Sequence, residues 1–262
     1  MKFSSIRALG GAALLAFYGT VGAVQAEGAD PTVLRVALEP AFPPYCFVDD
    51  GRVMGFDKDL LDAIAQELGL KVQYTTMSFD DIIPSVMKGD YDLGASAFII
   101  NAERLEKVEC TDHYTTTGLS LVISDFYAGT VNNMRDADGK TICVEKSTLS
   151  ERFARTLKKS TIKSYPGDEV NEAFNRGDCQ ITINERLFQS YNLKVGNIQD
   201  GILLPEVYSP HQVAFVLQKG NIELTDKINQ GLQTIRKNGT YDRIFDSWFT
   251  VDVRTREVEN KE

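Results

Sequence analysis

The chain has 262 residues, 43% hydrophobic and 10% aromatic, enough apolar material for a folded core in one domain or two small lobes. Its formal net charge of −9 at pH 7 speaks against nucleic acid, because phosphate binding needs clustered cations. A small anionic ligand stays open, since the local field of a pocket can oppose the net charge.

Residues 1–26 read as a secretory leader, with Lys2 and Arg7 as a basic start. An apolar stretch from Ala8 to Val24 is interrupted by glycines, and Val24-Gln25-Ala26 offers small residues for cleavage near Ala26. Cleavage there leaves 26 Lys+Arg against 37 Asp+Glu, a net charge near −11. No later run approaches the roughly 20 apolar residues needed to span a bilayer, so a soluble exported protein is expected.

A buried-type strand over Leu34–Leu38 ends in Glu39 and an aromatic turn carrying Phe42. Asp57 reads as the N-cap of a helix with Leu60, Leu61, Ile64 and Leu68 at helical spacing, stopped by Gly69. After the strand KVQYTT, Ser78 and Asp81 suggest a capping box for a helix that ends at Gly89. The strand YDLGASAF follows, then Asn101 as cap of a helix bearing Arg104, then the strand Leu119–Ser124. The second half repeats this alternation. KTICVE is a strand, and Thr148 with Glu151 makes a capping box for a helix STLSERFARTLKK. The strand TIKSY, a helix over Asp168–Arg176, the strand CQITIN and a helix near Glu185–Tyr191 come next. A returning strand, Gln212–Gln218, precedes two closing helices, ELTDKINQGLQTIRK and YDRIFDSWF, and a charged, flexible tail over Arg254–Glu262. Such alternation predicts an α/β fold of mostly parallel sheets with right-handed crossovers. Extended segments near Thr115–Gly118 and Ser209–Val213 join the two units, predicting lobe 1 from residues 33–115 plus 213–250 and lobe 2 from 116–212.

Cys46, Cys110, Cys143 and Cys179 form no C-x-x-C, and His113 and His211 are far apart, so neither a metal site nor a cofactor is expected. Export makes disulfides the default. Cys143 and Cys179 sit on strands one βαβ unit apart and are the preferred bridge. Cys46 and Cys110 both fall in the first lobe, and whether they pair is left open.

Arg104 is the strongest functional candidate. At the third position of a helix it adds a guanidinium, able to grip a carboxylate bidentately, to free backbone N–H groups and a favourable dipole. Ser147 and Thr148 open a helix after a strand, where hydroxyls and N–H groups favour an anion.

The segments PPY…GFDKDLL, FDDIIP and ERLEKVECTDHY, with the closing NGTYDRIFDSWF, resemble bacterial extracellular solute-binding proteins of family 3, the periplasmic amino-acid receptors of ABC importers. The resemblance implies a two-lobed periplasmic binding protein fold with a two-segment hinge that closes on its ligand. It places the ligand's α-carboxylate on Arg104, with Ser147 and Thr148 facing it from lobe 2. Phe42 and Phe79 become aromatic walls, and Glu39 an acid near the ligand's ammonium or side chain. Asn184 stands where relatives carry an ammonium-binding aspartate, leaving that charge to Glu39 or Glu185. Ala97 and Ile99 stand where relatives have glycine and threonine, with Asn101, Ser96 and main chain as substitutes. A related branch has cysteines at the positions of Cys143 and Cys179. A monomeric, non-enzymatic receptor partnered by an inner-membrane ABC permease is expected. The alternative is a periplasmic enzyme similar to cyclohexadienyl dehydratases, with Glu39 or Glu185 as acid and Arg104 as anchor. EKSTL in place of a glycine-rich turn, and two isolated histidines, stand against it.

Overall fold

A computed structural model describes residues 30, 32–167 and 169–249. The leader and the tail lie outside the described residues.

The first half of the chain starts with β1 (Val33–Leu38), followed by a small antiparallel ribbon of β2 (Ala41–Phe42), β3 (Cys46–Asp49) and β4 (Arg52–Met54). Helix α1 (Phe56–Leu68), β5 (Lys71–Thr76), α2 (Phe79–Lys88), β6 (Leu93–Ile99), α3 (Ala102–Lys107) and β7 (Val108–Cys110) come next. The long strand β8 (Thr115–Ser124) leads to a 3-10 turn (Asp125–Tyr127) and α4 (Met134–Ala137). Then follow β9 (Thr141–Glu145), α5 (Leu149–Ala154), β10 (Thr161–Tyr165), α6 (Glu169–Asn175), β11 (Ile181–Glu185), α7 (Arg186–Lys194) and β12 (Gly201–Leu203). A second long strand, β13 (Tyr208–Gln218), returns to α8 (Ile222–Lys237) and α9 (Thr240–Trp248).

The strand order is β10-β9-β11-β8-β13-β6-β1-β5, with β12 on β8 and β7 on β13. Strands β5, β1 and β6 pair in parallel, as do β10, β9 and β11. Each parallel group has its own apolar cores, one set around Leu38, Phe56 and Phe215 and around Ile82 and Phe98, the other around Leu121, Ile142 and Ile183 and around Val170 and Phe174. A mostly parallel sheet in each lobe was expected, and both parallel groups are present; β8 and β13 run antiparallel to each other and to their neighbours and join the groups in one curled ladder.

Alternation in the sequence explains most elements. On α1, Phe56, Leu60, Leu61 and Ile64 are buried at helical spacing, each worth about 1.5–3 kcal/mol against exposure. Helix α8 meets this face at Gly231, where an added Cβ would lie 2.8 Å from Ile64 Cγ2. Any larger residue there would force the two helices apart. The left-handed residues Gly69 and Gly89 end α1 and α2 as expected.

Three local expectations are corrected. Asp57 is not the N-cap of α1: Gly55 holds that place at φ 132°, because a Cβ there would fall 2.2 Å from the Tyr45 carbonyl. Ser78 gives its hydroxyl to the Asp81 carboxylate at 2.6 Å and caps no backbone N–H. Helix α5 stops at Ala154, well short of the predicted STLSERFARTLKK, as Thr156 turns its hydroxyl back to Phe153 O.

The disulfide Cys143–Cys179 is present, with Cα atoms 5.8 Å apart. Its cause is the β9–β11 pairing, which sets Thr182 opposite Cys143 and brings the start of β11 alongside. Cys46 and Cys110 are both free thiols. Cys46 is buried with Sγ 3.3 Å from Ser96 Oγ, whereas Cys110 lies on β7 beside Arg104, so the open second pair is not formed.

Candidate functional site

Open parallel sheets bind ligands where successive strands leave a central strand in opposite directions. This chain has two such points. From β1 the chain goes to β5 on one side and then to β6 on the other; from β9 it goes to β10 and then to β11. The candidate residues gather at the carboxyl ends of these two strand pairs.

At the first point, β1 and β6 run in register with Leu38 opposite Ala95, which puts Glu39 beside Ser96. The Glu39 backbone N–H donates to Ser96 Oγ at 2.8 Å. Partial burial and the nearby Asp80 carboxylate both push the Glu39 carboxyl up from its ordinary value. Ala97 follows at φ 48°, a left-handed conformation costing a non-glycine residue roughly 1–2 kcal/mol. It is held there by Asp57, whose Oδ2 accepts from Ala97 N at 2.9 Å and whose Oδ1 accepts from Tyr114 O–H at 2.6 Å. Asp57 is fully buried, and desolvation outweighs these two bonds to push its carboxyl up to about 7. Ile99 is 36% exposed and its side chain offers no hydrogen bond.

Asn101 caps α3 by accepting from Arg104 N at 2.9 Å, which fixes the arginine backbone. The half-buried guanidinium donates to Ile99 O at 2.7 Å and lies 5.7 Å from the Phe79 ring and 5.2 Å from Phe98. Among the described residues it has no ion-pair partner, while Glu103 is taken by Lys107 at 2.8 Å. Burial lowers the Arg104 pKa, the signature of a cation short of compensating charge. Phe79 stacks on Phe98 at 5.0 Å, and Phe42 is 38% exposed and stacks on Tyr45 at 5.4 Å. Arg104 thus touches Phe79, Ile99 and Asn101, while Glu39 and Ala97 lie at the adjoining ends of β1 and β6 and Phe42 on the ribbon of β2.

The second point is arranged differently from expectation. Thr148 does cap α5, accepting from Glu151 N at 3.3 Å, but its own proton goes to Glu145 O at 2.7 Å. Ser147 sits at φ 66° and gives its N–H to Glu151 Oε2 at 2.8 Å. Ser164, Ser147 and Arg155 together hold the Glu151 carboxyl down, to about 2. The Ser147 amide expected to face an anion is therefore occupied by an internal carboxylate.

Asn184 turns its Oδ1 to Glu185 N at 2.8 Å, so its acceptor is used locally. Glu185 is the group the residue-by-residue reading under-ranked. Its Oε2 accepts from Phe188 N at 3.0 Å and lies 3.4 Å from Tyr45 O–H, while Oε1 is enclosed without a close hydrogen bond, the backbone N–H groups of Leu187 and Gly118 being further donors near the carboxylate. Desolvation, only partly offset by these donors, pushes the Glu185 carboxyl up to about 7. Thr117, on the β8 segment that joins the halves, is also buried, with the Tyr45 hydroxyl as its polar neighbour. Tyr45 and Asp57 were not foreseen as site residues. Their signal was a hydroxyl and a carboxylate inside the otherwise apolar motif PPY…GFD.

Two mostly parallel strand groups joined by two long strands, with facing polar strand ends, define a ligand-binding protein of two-lobed α/β architecture. The family profile of bacterial extracellular solute-binding proteins, family 3, matches residues 34–251, and the chain belongs to that family. It is similar to the L-cystine-binding protein TcyJ of Escherichia coli K12, at 25% identity over 84% of both chains. It is also similar to ABC transporter arginine-binding protein 1 of the same strain, at 27% identity over 91% of this chain and 97% of that one. Among solved structures, substrate-binding domain 2 of Lactococcus lactis GlnP in the open conformation has a TM-score of 0.76 at 26% identity, covering 85% of this chain and 97% of that domain. An ancestral arginine-binding protein bound to arginine has a TM-score of 0.61 at 30% identity, covering 83% and 98%. The family and these relatives are binding proteins rather than enzymes.

Proposed function

We propose that the protein captures a free amino acid between its two lobes and hands it to the membrane permease of an ABC importer. The observation that carries this reading is Arg104: a half-buried guanidinium at the β1/β6 strand ends, stacked and oriented, with no carboxylate of its own among the described residues. The ligand's α-carboxylate supplies one. Glu185 takes the α-ammonium, because its enclosed Oε1 makes no close hydrogen bond and Asn184 is spent on the backbone. Glu39, with Asp80 near it, faces the ligand side chain and favours one that is cationic or rich in donors, as in the relatives named for arginine. Phe42 and Phe79 wall the cleft, Ala97 and Ile99 line its less polar rim, and Asn101 and Ser147 add polar contacts.

In this reading lobe 1 comprises residues 33–115 plus 213–250 and lobe 2 residues 116–212. Closure occurs at Thr115–Gly118 and Ser209–Val213, and the protein works as a periplasmic monomer after cleavage near Ala26. A thermal-shift screen of the twenty protein amino acids and cystine, on protein unfolded and refolded to strip carried-over ligand, tests it. A ligand at about 1,000 times its Kd adds roughly 4 kcal/mol to folded-state stability. At least one amino acid should give a shift of that order; absence of any shift across the set refutes the reading.

A further inference from the structure

Helix α7 belongs by topology to the second strand group. Gln189 Nε2 donates to Ser120 O on β8 at 2.6 Å, and Arg186 Nη1 reaches Leu204 O, after β12, at 2.6 Å. Yet Leu187, Tyr191 and Lys194, spaced i, i+4 and i+7, form a stripe that packs on the first group. Leu187 is part of the apolar core around Leu38 and Phe56. The Tyr191 ring lies 6.2 Å from Trp248, whose indole N–H donates to Asp59 on α1 at 2.8 Å. Lys194 Nζ reaches the end of α9 and donates to Asp246 O at 2.6 Å, Ser247 O at 2.7 Å and Phe249 O at 3.1 Å. These are carbonyls at the terminus of a helix, where the chain leaves acceptors unpaired and the dipole favours a cation. One ammonium thus ties α7, carried by the second strand group, to α9, packed on the helices of the first group.

We infer that this contact is a clasp on the unliganded arrangement, and that Lys194 and Tyr191 set ligand affinity from outside the cleft. The chain superposes on a domain solved in the open conformation with a TM-score of 0.76 and on an arginine-bound protein with 0.61. In this proposal the clasp belongs to the arrangement that precedes closure. Its two sides ride on different bodies, α7 on β8 and β11, α9 on α1 and α8. The Lys194 bonds to the α9 carbonyls span the boundary that a rotation at the two crossing strands, bringing Glu185 towards Arg104, would shift. Interactions made only before closure lower apparent affinity by stabilising the state that binds less well. Removing them tightens binding without touching a ligand contact.

The inference rests on the receptor reading only through its ligand, so the test has two arms. Lys194→Ala, Tyr191→Ala and the charge-retaining Lys194→Arg are titrated with L-arginine, following the fluorescence of Trp248, the sole tryptophan. Lys194→Ala and Tyr191→Ala should each lower the Kd three- to tenfold, and Lys194→Arg should lie near wild type. An unchanged or raised Kd in folded Lys194→Ala protein overturns the clasp. Where L-arginine does not bind wild-type protein, small-angle scattering of ligand-free protein decides. A Lys194→Ala, Tyr191→Ala double variant should then be more compact than wild type, and identical profiles overturn the inference.

Discussion

Replacing Arg104 by alanine separates a ligand anchor from an ordinary surface cation. The substitution keeps the backbone N–H that Asn101 caps, so α3 retains its start. What the fold loses is one bond to Ile99 O and two ring contacts, with Phe79 and Phe98. At about 0.5–1 kcal/mol for each cation–ring contact at a partly exposed site and about 1 kcal/mol for the hydrogen bond, stability falls by roughly 2–3 kcal/mol at most. Binding falls further. An amino-acid carboxylate brought into the crevice would be left without its partner, a loss of about 2–5 kcal/mol. At 1.4 kcal/mol per tenfold, that weakens affinity by roughly thirtyfold to several thousandfold. Arg104→Lys keeps the charge but loses the planar fork, and should fall between the two. Calorimetric titration with the amino acid returned by the thermal-shift screen gives the answer. Wild-type affinity in a folded Arg104→Ala protein would refute the anchor and remove the main support for a carboxylate ligand.

Glu185→Gln should weaken amino-acid binding and abolish its dependence on pH. Glu185 accepts an ammonium only when ionised, so wild-type affinity should climb about tenfold per unit towards pH 7 and level off above it; a flat wild-type profile between pH 5.5 and 8.5 counts against the assignment. The raised carboxyls of Glu185 and Asp57, both near 7 in the fold against about 4 unfolded, keep extra protons in the native state across that window. Their contribution to stability is therefore full below about pH 4 and is lost as pH rises to 7, and urea titrations of Asp57→Asn with Glu185→Gln should show a shallower decline. Asp57→Ala leaves Tyr114 O–H and Ala97 N–H, both donors to it, without an acceptor and should cost about 2–4 kcal/mol in the same assay; a loss under 1 kcal/mol would mean water replaces the carboxylate. Cys143→Ser with Cys179→Ser opens a link of sequence separation 36, worth roughly 3–4 kcal/mol of chain entropy, and an unchanged Tm would show that the link restrains nothing in the unfolded chain.

The alternating architecture was readable because apolar periodicity and glycine stops act within short windows. KVQYTT and TIKSY form strands over the residues expected, and Arg104 stands three residues after its cap. The ribbon of β2 to β4 was missed because its strands are short and largely exposed, and the extension of β8 and β13 was missed because pairing in the ladder, not local composition, determines their length. Lobe 2 was the harder half-site for a physical reason. Whether the Ser147 amide faces a ligand or Glu151, and whether Asn184 or Glu185 keeps a spare acceptor, depends on side-chain directions that spacing does not encode. Asp57 illustrates the same limit: its helix-start position suggested a cap, but a neighbouring turn sends the carboxylate inward to Ala97.

The two crossing strands also govern the order in which this chain can fold. Strand β6 is flanked by β1 on one side and by β13 on the other, with Ile99 opposite Val213, so its second edge waits for chain made more than a hundred residues later. The segment between behaves otherwise, for its two ends already meet where Leu119 faces Tyr208. It can collapse around its own core and disulfide as an insertion, shortening the effective loop that β13 must close. The strand group of β5, β1 and β6 is then completed last, and until β13 docks it carries a bare apolar edge at β6. Truncation before Tyr208 should therefore yield a chain prone to edge-to-edge association rather than a smaller folded protein.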